Sequence, residues 1–169
     1  MGRMALDTMQ ELLCEELRDI YNAEQQMVKA LPKFAAAVST PSLQDALQDH
    51  LVETEGHVRR LEQIFEVLDH KASGKKCKGM EGLLEEGAEM TGQSGSETVR
   101  DAGIISAAQR VEHYEIAAYG CAITHARVLG LEEVADLLEQ TLVEEKHADE
   151  RLSTIAEQEV NSSALHVTL

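Results

Sequence analysis

The chain has no tryptophan, only three tyrosines and two phenylalanines, and only two prolines in 169 residues. So few aromatics and helix breakers, in a composition rich in Ala, Leu, Glu and Gln, are the mark of a helical protein. Basic residues are scarce too. Fifteen Lys and Arg against 31 Asp and Glu give a formal charge of -16, which repels phosphate backbones and anionic lipid and attracts cations. Neither nucleic acid nor a membrane is therefore expected as a partner, and metal ions are. The three cysteines, Cys14, Cys77 and Cys121, lie far apart with no CxxC spacing. That excludes a zinc knuckle and an even disulfide framework, and leaves them as small buried hydrophobes in a reducing cytoplasm. No run approaches the roughly 18 apolar residues of a membrane span, and Met1 to Asp7 lacks a stretch of signal-peptide length. A soluble cytoplasmic protein is expected.

The length suits one domain with enough core to fold without staples. Asp7 with Gln10 reads as a capping box, and apolar residues from Met9 through Leu17, Met27 and Leu31 to Val38 recur at helical spacing, with Pro32 expected to kink this first helix or end its regular part early. Thr40 and Pro41 are a cap and first-turn pair for a second helix, whose stripe runs from Leu43 through Leu51 and Val58 to Leu68 and ends near His70. Residues 71 to 96 read as a crossover with a short helix at Met80 to Met90. A third stripe from Val99 to Ala126 stops near Gly130, a natural C-terminal cap residue, and a fourth runs from Val134 to Ile155. The expectation is an all-α, ferritin-like four-helix bundle over residues 1–160, with one long crossover, a short extra helix and a disordered tail at 161–169. An up-down-up-down bundle with a decorated loop remains open.

Acids occupy positions where leucine belongs. Counting by threes and fours places Glu112 and Glu115 on the seam of the third helix, Glu24 on the first and Glu144 on the fourth, with Glu145 one step around as its alternative. Glu53 lies on the edge of the second stripe with His50 and His57 on the same side. Measured from the two tight turns, Glu24 faces the Glu53–His57 level, and Glu112 and Glu115 bracket Glu144 and His147. A buried carboxylate cluster must be protonated, paired or metal-bound. Carboxylates with one or two imidazoles suit Fe or Mn, and Glu144-x-x-His147 has the spacing used by di-iron and di-manganese bundles. The candidate ligands are Glu24, Glu53, His57, Glu112, Glu115, Glu144 and His147. His50 reads as a packing or supporting residue, His70, His113 and His125 as surface residues, and Tyr114 and Tyr119 as core or supporting donors.

The segments Glu16–Glu24 (ELRDIYNAE), Lys29–Lys33 (KALPK), His50–Gly56 (HLVETEG), Cys77–Gly87 (CKGMEGLLEEG), Ala107–Gly120 (AAQRVEHYEIAAYG) and Glu144–Asp149 (EEKHAD) resemble the YciE/YciF-type ferritin-like family of bacteria. The resemblance implies a bundle with a dimetal site, a link to stress responses, and ligands at Glu24, Glu53, Glu112, Glu115 and Glu144. His57 stands where that family commonly has glutamine, and His147 where it commonly has alanine. Rubrerythrins resemble the chain more distantly.

Two Fe or Mn ions acting on peroxide, oxygen or ferrous iron are thus the first expectation. The alternatives are a structural or storage protein without turnover, and a metal-free bundle of protonated acids. A homodimer is the default assembly.

Overall fold

The structure, a computed structural model, describes residues 6–165. Helix α1 is Met9–Ala37. Its first turn is closed by Thr8, whose hydroxyl accepts from the Glu11 amide while the Glu11 carboxylate accepts from the Thr8 amide. This capping box lies one residue beyond the expected Asp7–Gln10 pair, and the Asp7 amide donates to the same carboxylate. The helix runs on past Pro32, which faces solvent. Helix α2 is Pro41–Val67, α3 Lys78–Thr91, α4 Glu97–Val128 and α5 Glu132–Ile155. A π-helical turn, Ala156–Val160, leads into α6, Asn161–Leu165. The segment expected as a disordered tail thus begins with a helical turn, and residues 166–169 lie outside the described ones.

Helices α2 and α4 stop in the same way. Gly130 takes φ 71° after α4, and the Gly130 and Leu131 amides donate back to Arg127 and Ala126. Asp69 takes the equivalent position after α2 with φ 52°, and the Asp69 and His70 amides donate to Glu66 and Phe65. This is the Schellman arrangement, with glycine where the left-handed conformation has no steric cost and aspartate where it is tolerated.

Helix α1 packs on α2 and α4, and α5 packs on α4 and α2, so α1 and α5 occupy one diagonal and α2 and α4 the other. Polar contacts give the directions. Glu24 meets Tyr119 and Glu16 meets His125, so α4 runs antiparallel to α1. Asp49 meets Arg151 and Glu144 meets Arg60, so α5 runs antiparallel to α2. Helices α2 and α4 are therefore parallel, and the connection between them travels the length of the bundle. That is the one-crossover connectivity, and it rules out up-down-up-down.

The crossover is fastened along α1. The Lys75 amide donates to the Arg18 carbonyl, the Arg18 side chain donates to the Ser73 carbonyl, the Cys77 amide donates to Asn22 Oδ1, and the Gln26 side chain donates to the Cys77 carbonyl. Helix α3 then lies close against the α1–α4 pair. A Cβ at Gly79 would stand 2.7 Å from the Tyr114 ring, and one at Gly87 would stand 2.8 Å from the Phe34 ring. Glycine is what lets α3 approach so closely.

Two apolar clusters fill the bundle. Leu31, Phe34, Leu43, Leu47, Ile105 and Leu152 belong to one, and Leu17, Phe65, Leu61, Tyr119, Ala122 and Leu138 to the other. The polar residues of the site lie at the level between them. At the far end of the first cluster sits a fully buried carboxylate, Asp101. It accepts from both the amide and the hydroxyl of Ser39 and of Thr40, at 2.7 to 3.1 Å. Thr40 consequently gives its hydroxyl to α4 rather than capping α2 itself, and the α2 N-terminus is served by a charge from another helix. Asp101→Ala would leave four donors without their acceptor. It is expected to lower unfolding free energy in urea by about 3 kcal/mol, whereas a loss under ~1 kcal/mol would show that the α1–α2 turn holds itself.

Candidate metal centre

Each long helix contributes to the belt at the seam positions its neighbours define. On α1, Glu24 follows Ile20 and precedes Met27. On α2, His50, Thr54 and His57 continue the series Leu43, Leu47 and are followed by Leu61 and Ile64. On α4, Glu112 and Glu115 stand between Ala108 and Tyr119, and on α5, Thr141 and Glu145 follow Leu138. All eight of these polar residues are buried.

The ionisable members form two overlapping groups. One ligand atom from each of Glu24, His57 and Glu145 lies within 4.8 Å of the others, and the same holds for His50, Glu112, Glu115 and Glu145. Glu145 is shared. His57 Nδ1 is 2.9 Å from Glu145 Oε1 and 3.5 Å from Glu24 Oε1, close enough to pair by charge but out of line for a hydrogen bond. His57 Nε2 is 2.9 Å from Glu144 Oε2. His50 Nε2 is 3.4 Å from Glu112 Oε1 and 3.7 Å from Glu145 Oε2. The Tyr119 hydroxyl donates to Glu24 Oε1 at 2.5 Å.

Burial and mutual repulsion set the charge states. Desolvation raises Glu112 and Glu115 well above the ordinary carboxyl range, with the Glu145 charge adding to it. Glu24 is raised by burial despite the neighbouring His57. Burial would raise Glu145 as well, but the His57 and His50 imidazoles hold it below the usual value. Burial opposes charge on His57, yet the Glu145 and Glu24 carboxylates beside it push it up to about 10.

Among the described residues, nine buried side-chain nitrogen or oxygen atoms lack a hydrogen-bond partner, and eight of them belong to Glu24, His50, His57, Glu112, Glu115 and Glu145. Native interiors leave few such atoms, so their convergence at one level is specific to this belt. Four carboxylates and two imidazoles within coordination reach are also a donor set suited to Fe or Mn. Each of the two groups has the donors to hold such an ion.

Of the seven residues chosen from sequence, Glu24, His57, Glu112 and Glu115 come together in the belt. Glu144 does not point inward. Its side chain is 35% exposed and accepts from the Arg60 guanidinium at 2.9 and 3.1 Å, which holds its carboxyl below the usual range against the effect of burial. Glu145 takes the inward place. Glu53 stands at the rim, 3.3 Å from His50 Nδ1, and His147 is exposed. His50, read as a supporting residue, is in the belt itself. Cys77 is buried as expected, but Cys14 is half-buried and Cys121 exposed.

Fold and site together define a helical bundle with a buried carboxylate–imidazole centre. The chain belongs to the family described as domain of unknown function DUF892, whose model matches residues 8–165. It is 43% identical over 162 residues to the protein YciF of Escherichia coli strain K12, covering 95% of this chain and 98% of that protein. The crystal structure of the E. coli stress protein YciF matches with a TM-score of 0.89 over 92% of this chain and 99% of that one. YcfI of Rhodopseudomonas palustris, for which a structural role has been suggested, matches with the same identity, coverage and TM-score. A Xanthomonas campestris protein, 22% identical with a TM-score of 0.72 over 94% of this chain and 97% of that one, shares the fold. No described helix is long and apolar enough to cross a membrane.

The charge states make the stability of metal-free protein depend on pH. His57 binds its proton more tightly folded than unfolded, so its contribution is complete below the ordinary 6.5 and is lost as pH rises toward 10. The raised carboxyls of Glu112 and Glu115 act with the same sign above their ordinary 4.5. The thermal midpoint of chelator-treated protein should therefore fall between about pH 7 and about pH 9, and a midpoint that rises over that interval would contradict these charge states.

Proposed function

We propose that the chain is a ferritin-like dimetal protein which holds two iron or manganese ions in the central belt and uses them on peroxide, oxygen or ferrous iron in stress protection. The observation that carries this reading is the convergence of eight partnerless buried donor atoms into two groups that share Glu145. In this reading Glu24 and His57 would hold one ion, His50, Glu112 and Glu115 would hold the other, and Glu145, common to both groups, would serve both. Such a pair, when bound, supplies redox chemistry and a double Lewis-acid clamp on oxygen ligands. Tyr119 fixes one oxygen of Glu24 by its hydrogen bond and leaves the other free to coordinate. Arg60 fixes Glu144 against His57 and so holds the imidazole ring from outside. The apolar clusters on either side keep bulk water from the belt. The kinship with a stress protein supports the physiological setting, and a cytoplasmic homodimer is the simplest assembly for it.

A second reading has its own observation. His57, charged and set between Glu24, Glu144 and Glu145, offsets part of the carboxylate charge without a metal. A metal-free structural bundle, the kind of role suggested for the R. palustris relative, would rest on that pairing.

Metal content separates the two. Protein produced with both Fe and Mn available, and purified without chelators or a polyhistidine tag, is expected to carry about two ions per chain by plasma mass spectrometry. Glu115→Ala should lower that content sharply with helical circular dichroism nearly unchanged. Metal-free protein that also refuses added Fe(II) and Mn(II) would leave the structural reading.

A further inference from the structure

The belt approaches solvent between α2 and α5 at two places of opposite character. Beside His57 the rim is closed by the Arg60 guanidinium, which is fixed on Glu144 and also donates to the Thr141 hydroxyl. That ion pair occupies both Glu144 oxygens and leaves no free carboxylate at this rim to receive a cation. Beside His50 the rim opens instead into a cavity of about 40 Å³, lined by His50 and Glu112 of the belt and by Glu53, His147, Leu152 and Arg151 outside it. Arg151 is paired with Asp49 at 2.8 Å, so its charge is offset, and the side chain of Glu53 is 39% exposed.

We infer that this second opening is the port through which divalent cations reach the centre. Glu53 and His147 capture the ion at the mouth and hand it to His50, Glu112 and Glu145 within. The inference rests on the dimetal reading and adds to it the route of loading and two residues that serve the route without belonging to the final donor set. His50 joins the mouth to the centre. It is nearly fully buried, its Nδ1 is 3.3 Å from Glu53 Oε2, and its Nε2, which has no hydrogen-bond partner, faces Glu112 and Glu145 at 3.4 and 3.7 Å. The imidazole thus stands between an outer and an inner carboxylate. The cavity has room for a few water-sized particles, enough for an ion that sheds its hydration stepwise. Carboxylate, imidazole and carboxylate in succession offer Fe(II) or Mn(II) acceptable ligands at each stage. The overall charge of -16 concentrates cations at the surface, and Glu53 with His147 selects where they go in.

The test uses Co(II) as the probe and the full chain after metal removal, following uptake by visible absorbance in stopped flow and the final stoichiometry by mass spectrometry. Glu53→Gln combined with His147→Gln should slow uptake on the order of tenfold at low ionic strength while leaving the final stoichiometry unchanged. Glu55→Gln combined with His113→Gln removes the same groups from exposed positions away from the cavity and should leave the rate as it was. Equal rates in the port variant and the unaltered protein would overturn the inference, as would equal slowing by the control pair. A final stoichiometry reduced by one ion in the port variant would also overturn it, because Glu53 or His147 would then be a ligand of the centre. No uptake by the unaltered protein would overturn the dimetal reading and the port with it.

Discussion

Taking a carboxylate out of water costs several kcal/mol unless something meets its charge, and placing four of them at one level of a bundle multiplies that cost by mutual repulsion. Much of this molecule is arranged around that constraint. Glu24, Glu112, Glu115 and Glu145 share the level with His50 and His57, and Tyr119 reaches in from the neighbouring apolar cluster to hold one carboxylate oxygen. Leucine, isoleucine and phenylalanine are confined to the two ends, where close packing supplies the stability that the middle does not. The belt interrupts what would otherwise be one continuous core.

The crossover follows from the same arrangement. Helix α2 carries both imidazoles and runs parallel to α4 across the bundle, so His50 and His57 face carboxylates from α1, α4 and α5. The chain meets this topological demand with α3, which is bolted to α1 through Asn22 and Gln26 and seated on glycines against Tyr114 and Phe34. With the α1–α4 side covered in this way, the approaches described here lie between α2 and α5.

The helices were legible because leucine spacing and turn residues mark them, but the direction of the crossover was settled only by the polar contacts between helices. Glu112 and Glu115 were legible because they stand at consecutive seam positions where an apolar residue belongs. The inward glutamate of α5 was not. Glu144 and Glu145 lie three and four residues beyond Thr141, so both satisfy helical spacing, and the structure decides between them by centring Leu138 rather than Leu137. His50 was undervalued for a related reason. Its seam runs Leu47, His50, Thr54, His57, Leu61, and three polar residues in succession are invisible to an apolar count, which slipped sideways onto Leu51 and Val58. Glu53 reads as a ligand from the edge of that displaced stripe, and it stands at the rim instead. The cap at Thr8 was missed by one residue because two acceptable pairs overlap. Asp101 gave no sign at all, since its partners Ser39 and Thr40 lie some sixty residues away in sequence.

Each donor group draws on both hairpins: Glu24 and His57 from α1 and α2 meet Glu145 from α5, and His50 from α2 meets Glu112, Glu115 and Glu145 from α4 and α5. Neither hairpin by itself crowds all these charges together or offers a complete set of ligands. The electrostatic penalty is therefore confined to the seam where the two halves of the chain associate, and a cation bound there would act as a clasp between them, coupling the grip on the ion to the cohesion of the whole bundle.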